Sequence, residues 1–343
     1  MGSFKILDAG LLTTVQDLGR YGYQRYGVSQ SGVMDIFSAR VANELVGNSK
    51  EDALLEMTLK GVSIEFLQEI GIAITGAKCD AYINDEKIEL WRSYKILCGD
   101  ILKIGFIKEG VRSYLSFSGG LDVPLIMGSR STNLKANIGG YEGRKLKVGD
   151  ELKVFPKNIK VLKKLKNEII PKYEKELEIG VIIGQQYNYF TEIGKKTFFE
   201  SEYIIKSESD RMGIRVSGNR VEHIESADII SDGITFGAIQ IPGNGQPIIM
   251  MADRQTTGGY TKIGNVISTD LSKMAQTIPG DKIRFIEIEL EEAVNRIKDE
   301  EKRVNSLDSY ITISEECLIK FYKVTVNGKT YFVEVSEITN KKN

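Results

Sequence analysis

The chain has 343 residues, with 46 Lys and Arg against 47 Asp and Glu and a formal net charge of −1. It is 41% hydrophobic and 27% charged, which gives it material for sizeable cores and excludes wholesale disorder. The near-neutral balance excludes a basic nucleic-acid footprint at whole-chain level. The length fits about two domains. The single histidine, His223, excludes a histidine-rich metal site within one chain, and no metal is expected. A Ser-His-Asp triad would have to use this residue, whose setting, Val221-Glu-His-Ile-Glu225, reads as an ordinary strand or loop. Cys79, Cys98 and Cys317 are odd in number and lack Cys-x-x-Cys spacing, as in a reduced cytosolic chain. Met1-Gly2-Ser3-Phe4-Lys5 shows no leader, and no apolar run reaches the ~18 residues of a membrane span. A cytoplasmic protein with no membrane or nucleic-acid partner is expected.

With 34 glycines against 6 prolines, glycine turns and a β-rich fold are expected. Residues 1–33 hold too much glycine for a helix and read as loop with short strands. Met34, Phe37, Val41 and Leu45 predict a helix over 34–46, stopped by Gly47-Asn48. Ser49-Lys-Glu-Asp52 reads as a capping box before a second short helix at Ala53-Leu-Leu-Glu-Met57, giving a helical insertion near 34–58. From Val62 to Val154 the pattern is of short strands cut by glycine. Val62–Phe66 alternates, Ile72–Thr75 meets Gly76, Ala81–Ile88 reads as a hairpin about Asn84-Asp85, and Tyr114–Phe117 ends at Gly119-Gly120. That is the signature of a barrel or sandwich.

One motif recurs three times: Gly99-Asp-Ile-Leu-Lys-Ile104, Gly149-Asp-Glu-Leu-Lys-Val154 and Gly280-Asp-Lys-Ile-Arg-Phe285. A Gly-Asp turn feeding an equivalent strand in each half suggests two related β domains. Lys157–Lys175 is lysine-rich and reads as a solvated connector. The expected boundaries are 1–160, a linker at 161–176, a second domain at 177–288, and a charged helix with a tail at 289–343. The helix covers Glu289–Val304, with Ala293, Val294 and Ile297 as its narrow apolar stripe. In the tail, Tyr322–Val335 alternates around Asn327-Gly328, a strong hairpin signal.

Four polar clusters could carry chemistry. Met251-Ala-Asp-Arg-Gln-Thr-Thr-Gly-Gly-Tyr260 follows the apolar run Gln246–Met251, which reads as a buried strand. Arg254 offers a planar fork for a carboxylate or phosphate. Gln255, Thr256 and Thr257 add neutral donors and acceptors, and Gly258-Gly259 lets backbone approach a ligand. The same run also fits a turn with a structural arginine. In Thr13-Thr-Val-Gln-Asp-Leu-Gly-Arg20, Asp17 and Arg20 fit either a site or a local salt bridge. Ser209-Asp-Arg-Met-Gly-Ile-Arg215 and Gly128-Ser-Arg-Ser-Thr-Asn133 are the others. Together they suggest an anionic or amide-like small ligand. No phosphate loop is present: Ile193-Gly-Lys-Lys-Thr197 lacks the earlier glycine and has Lys196 at the hydroxyl position.

Thr14-Val-Gln-Asp-Leu-Gly-Arg20, Ser31-Gly-Val-Met-Asp35, Ala42-Asn43 with Gly47-Asn48, Ser209-Asp-Arg-Met-Gly213 and Ala252–Tyr260 together resemble one family. It is the biotin-dependent carboxyltransferase, or allophanate-hydrolase-subunit-2-like, family. The resemblance covers roughly residues 4–288 and keeps the order of the motifs. It implies a mainly β fold of two cyclophilin-like β-barrel domains with a few short helices. It also implies a place in a bacterial ATP-dependent 5-oxoprolinase, which opens 5-oxoproline to glutamate. The implied partners are the KipI-like B subunit and the LamB/YcsF-like A subunit of that enzyme, with ATP at a shared site. On this reading Arg254, Asp17 and Asp253 are catalytic. Gln16, Arg20, Asp35, Arg211, Gln255, Thr256, Thr257, Gly258, Gly259 and Tyr260 bind substrate. The alternatives are carboxyl transfer from carboxybiotin to a urea-like amide, and a KipA-like role as antagonist of a kinase inhibitor. The tail hairpin resembles the opening of a biotinyl-carrier domain, but no Met-Lys-Met attachment segment follows it.

Overall fold

The structure is a computed structural model that describes residues 2–159, 161–313, 319–326 and 329–336. The fold is mainly β, in two halves. The first is an 11-stranded sheet in the order Ile311–Ile313, Lys163–Leu165, Arg92–Ile96, Ile70–Ile83, Ile101–Phe117, Ser63–Phe66, Phe4–Asp8 and Glu151–Leu152, with Leu12–Gln16, Leu54–Thr58 and Glu86–Ile88 paired beside that path. The second is a closed barrel in the order Glu176–Ile183, Lys262–Val266, Ala238–Gln240, Ile248–Met250, Gly213–Ser217, Tyr203–Ile205 and Lys282–Glu287. Each half has its own apolar core built around one stacked aromatic pair. Phe4 lies on Phe117 with ring centroids 4.5 Å apart. Phe198 lies on Phe285 at 4.4 Å.

The repeated Gly-Asp motif folds the same way three times. Gly99, Gly149 and Gly280 take φ of 91°, 89° and 98°, a region that strains any residue with a Cβ. The following aspartate folds back, so that Asp100, Asp150 and Asp281 accept from the N–H of Leu97, Lys147 and Ile278, each at 2.8 Å. Backbone bonds then tie each turn to a neighbouring strand at Phe66, Ile6 and Ile205. Two of the three turns serve the first half and one serves the barrel. The Asn84-Asp85 hairpin forms as expected, with both residues at positive φ.

Helix α1 (Ile36–Leu45) begins at Asp35, whose side chain accepts from Ser38 N. Gly47 and Asn48 close it with N–H bonds to Glu44 O and Asn43 O, the paired bonds of a Schellman end. The second helix expected at Ala53–Met57 is absent. Ser49 and Asp52 do bond to each other reciprocally, but the next element is the strand Leu54–Thr58, paired to Leu12–Gln16 and Ile101–Phe117. Its first four residues are all buried, and a short apolar run buried on both faces carries no period to separate helix from strand.

Lys157–Lys175 is more than the expected solvated connector. Lys163–Leu165 joins the first sheet, and Leu165 is fully buried beside Trp91 and α1. Helices α2 (Glu192–Glu200) and α3 (Ser268–Met274) flank the barrel. The charged helix α4 (Leu290–Asn305) forms where expected, with Ala293 and Val304 as its buried anchors, while Val294 and Ile297 are 38% and 37% exposed. After α4 the chain returns to the first sheet, where Ile311–Ile313 pairs with Lys163–Leu165. The tail strands Ile319–Val326 and Lys329–Ser336 pair in a register that meets at Val326 and Lys329. Asn327-Gly328 and Cys317 lie outside the described residues. Cys79 and Cys98 are free thiols.

The shared turn makes a simple prediction. Asp281→Ala, which orphans Ile278 N–H, is expected to cost about 1 kcal/mol in urea unfolding, whereas Asp281→Asn, which keeps an acceptor, costs less.

Candidate functional site

Residues 17–35 leave the first sheet, cross the seam and return, and three of the expected site residues, Asp17, Arg20 and Asp35, lie along this crossing. Asp17 accepts from Gly19 N, Ser129 Oγ, Arg130 N and Ser131 Oγ at 2.5–2.8 Å. Its oxygens are therefore committed to ordering the 129–131 turn, and it forms no salt bridge with Arg20. Arg20 is fully buried. It donates through Nε to Ile126 O at 3.0 Å and through Nη2 to Ser131 O at 2.9 Å, while Nη1 is buried without a partner. Burial pushes its pKa down, against the pull of Asp17 and Asp253. Gln16 is also fully buried: its Nε2 reaches Thr14 Oγ1 and Thr132 O, and its Oε1 is unpartnered.

Arg211 is the centre of the seam. It is paired in two directions, to Glu56 of the first half and to Asp253 of the second, where Nε meets Oδ2 at 2.8 Å and Nη2 meets Oδ1 at 3.2 Å. Its Nη2 also donates to Gly32 O at 2.6 Å. All three side chains are at most 8% exposed. Burial opposes the charge on Arg211, but Asp253 and Glu56 outweigh it and hold the guanidinium above its ordinary pKa. Glu56 further accepts from Met34 N and Tyr114 Oη at 2.8 and 3.0 Å. Asp253 thus serves Arg211 and not its neighbour Arg254.

Arg254 sits beside this pair, 3% exposed, with no ion-pair partner among the described residues. Nε, Nη1 and Nη2 donate to Ile234 O, Met251 O and Gln30 Oε1 at 3.1–3.3 Å. The Phe236 ring lies 5.3 Å from its guanidinium carbon. Burial pushes its pKa down to about 10. A guanidinium carries five N–H groups, so one on each terminal nitrogen is left, in the geometry that grips a carboxylate or phosphoryl group.

The segment after Arg254 is not a loop. Thr257–Tyr260 is a strand paired with Asp228–Gly233, and Gly258 stands opposite Asp232. Gln255, Thr257 and Tyr260 are exposed along this arm, and Thr256, Gly258 and Gly259 are half-buried. Beneath it, Gln240 is 2% exposed with Nε2 buried and unpartnered. A Cβ on Gly258 would lie 2.6 Å from that nitrogen, so glycine is what leaves the donor room. Gln240, Gln30 and Phe236 were missed in the sequence; the signal for Gln240 was a polar residue ending the apolar run Ala238-Ile239.

Asp35 lies elsewhere. It lines a cleft of about 970 Å³ between α1, the 168–178 segment, α3 and α4. Its carboxylate accepts from Ser38 N, Ser38 Oγ and Gln276 Nε2 at 2.6–3.0 Å, and burial pushes its pKa up. His223 is structural: its Nε2 lies 3.1 Å from Ile241 O and 3.0 Å from Thr261 Oγ1. No metal-holding cluster occurs among the described residues, and no helix among them is long and apolar enough to cross a membrane.

The family model described as carboxyltransferase domain, subdomain A and B, matches residues 26–287. The chain is 37% identical to the C subunit of Escherichia coli 5-oxoprolinase over 309 residues, covering 88% of this chain and 97% of that protein. It is 38% identical to the C subunit of Haemophilus influenzae 5-oxoprolinase over 289 residues, covering 84% and 92%. Among solved structures, Kluyveromyces lactis urea carboxylase superposes with a TM-score of 0.84 at 30% identity, covering 97% of this chain and 32% of that one.

Arg211→Met, which strands two buried carboxylates, is expected to lose about 3–5 kcal/mol in chemical unfolding. Arg211→Met combined with Glu56→Gln and Asp253→Asn should recover part of that loss.

Proposed function

We propose that this chain, which belongs to the carboxyltransferase domain, subdomain A and B, family, works as the C subunit of a 5-oxoprolinase. The carrying observation is the 37–38% identity to two proteins of that name across 97% and 92% of their lengths. Their name also implies a multi-subunit enzyme, and we assign as partners its KipI-like B subunit and its LamB/YcsF-like A subunit. The reaction opens the lactam of 5-oxoproline to glutamate with ATP hydrolysis. ATP would supply the phosphoryl group that activates the lactam. With that group on the lactam oxygen, water adds at the carbonyl carbon and the ring C–N bond breaks, its nitrogen leaving as the amine. A second water releases phosphate from the resulting acyl phosphate. The chain has no phosphate loop of its own, so ATP is placed at a site completed by the partners.

Within the reaction, Arg254 holds the anionic group. Its two remaining N–H groups suit a carboxylate or a phosphoryl group, and the apolar wall of Phe236 keeps water from competing. Gln240 Nε2, unpartnered beneath Gly258, donates to an oxygen that approaches the diglycine strand. Asp253 acts through Arg211 by fixing the strand end that carries Arg254, and Asp17 acts by ordering the 129–131 turn against Arg20. These are positioning roles, because the oxygens of both are already bonded.

The second reading is carboxyl transfer to a urea-like amide. It is favoured by the superposition on urea carboxylase, since an arginine fork and a buried amide donor also suit a carboxylated donor and an amide acceptor.

The test is the full complex supplied with 5-oxoproline and ATP, followed for glutamate and ADP together. Both products should appear and vanish when this chain is omitted. Arg254→Ala should assemble normally yet lose about 10²–10³-fold in turnover, with Arg254→Lys recovering little because it lacks the fork. Glutamate formation unaffected by Arg254→Ala would remove that residue from the site.

A further inference from the structure

The cleft that holds Asp35 is unexplained by the reaction, and its lining is unusually incomplete. Tyr173 Oη and Thr269 Oγ1 both line it and are buried; Thr269 Oγ1 has no hydrogen-bond partner, and Tyr173 Oη has only the Ser38 side chain within reach. Native interiors seldom leave such groups unfilled. The floor is rigid. Gln276 spends its whole amide there, with Nε2 on Asp35 Oδ2 and Arg112 O and Oε1 accepting from Val111 N and Arg112 N. Asp35 accepts from Ser38 N, Ser38 Oγ and Gln276 Nε2, and the Ser272 side chain also acts on it.

Charge is separated across the cavity. Asp35 lies at the floor and Glu300 of α4 lies on the wall, and the two carboxyls sense each other. Burial, with Asp35 adding to it, pushes Glu300 up to about 7, and Arg303 and Arg40 only partly oppose this. Neither carboxyl is in an ion pair among the described residues, although Arg303 and Arg40 act on Glu300 and Arg112 on Asp35. At the mouth, Lys273 is taken by Asp270 and Arg296 by Glu292, whereas Arg303 and Lys172 have no ion-pair partner among the described residues.

We propose that this cleft binds a small zwitterion with a free ammonium and a carboxylate, of the amino-acid or short-peptide class. The ammonium sits between Asp35 and Glu300, with Tyr173 Oη and Thr269 Oγ1 completing its surroundings, and the carboxylate faces Arg303 and Lys172. The cavity volume falls within the range of ~300–1,000 Å³ usual for small-ligand sites. A cyclic amide such as 5-oxoproline, whose nitrogen carries no charge, leaves the carboxyl pair unmatched. The cleft therefore separates opened amino acids from lactams. The inference stands apart from the turnover reading, because binding is read on the full chain by itself.

The experiment is titration calorimetry on the full chain with L-glutamate and triglycine at millimolar concentration, beside N-acetyl-L-glutamate and 5-oxoproline. At least one of the first two should bind, and N-acetylation should weaken glutamate by about tenfold or more, the loss of a charge-assisted pair. Glu300→Gln and Tyr173→Phe should each weaken binding by about fivefold or more, while Arg254→Ala leaves it intact. These two wall substitutions keep the case open to refutation if Asp35→Asn fails to fold, since Asp35 also caps α1. No heat with either zwitterion, equal binding of 5-oxoproline, or loss through Arg254→Ala with Glu300→Gln unchanged would each overturn the proposal.

Discussion

The rest of the structure depends on one buried cation, Arg211, held between Glu56 of the sheet half and Asp253 of the barrel half. Each half has its own aromatic-centred core, so apolar burial alone does not dictate how the two meet. An ion pair does. Its members lose water on burial, and only the correct docking returns that energy through short, directed bonds. The same logic extends along the seam, where Gln276 of the barrel half fits into the bulge of backbone at Val111 and Arg112 and reaches Asp35. The seam is thus built of groups that tolerate one register and penalise others.

That rigidity positions the chemistry. Asp253 is fixed by Arg211, so the chain immediately after it presents Arg254 at one place against Phe236 and Gln30. Gln30 comes from the crossing segment of the other half, and Ser29 Oγ bonds Arg254 O at 2.8 Å. The first half thereby holds the arginine of the second. The unsatisfied donors at this site are Arg20 Nη1 and Gln240 Nε2, and both are buried in a region where a lone donor is costly. Their persistence fits a site whose last bonds are made by ligand or partner.

The seam has two faces with different chemistry. Around Arg254 the available groups are donors, which suits anions and amide oxygens. In the cleft below α4 the lining includes the carboxyls of Asp35 and Glu300, which suits a cation. The crossing segment contributes to both, with Gln30 on one side and Asp35 at its end on the other. Any shift of this segment is felt at both places.

Much of the fold was legible in the sequence. The helix at 36–45, the Asn84-Asp85 hairpin, the charged helix and the three Gly-Asp turns are local features, set by capping, φ requirements and alternation within a few residues. The β-rich character and the clusters that converge on the seam were legible for the same reason. Tertiary structure alone decided the rest. Leu54–Met57, expected as helix, became strand because it is buried on both faces, and no period survives there to be read. Lys163–Leu165 became a strand because Arg92–Ile96 and Ile311–Ile313 offered edges to it. The partition of the arginines was equally hidden. Sequence placed Asp17 beside Arg20 and Asp253 beside Arg254, yet Asp17 turned to Ser129, Arg130 and Ser131, and Asp253 to Arg211. Residues adjacent in the chain point to different sides of a strand or turn, so which charges pair is settled by packing across 42 or more than 100 residues of separation.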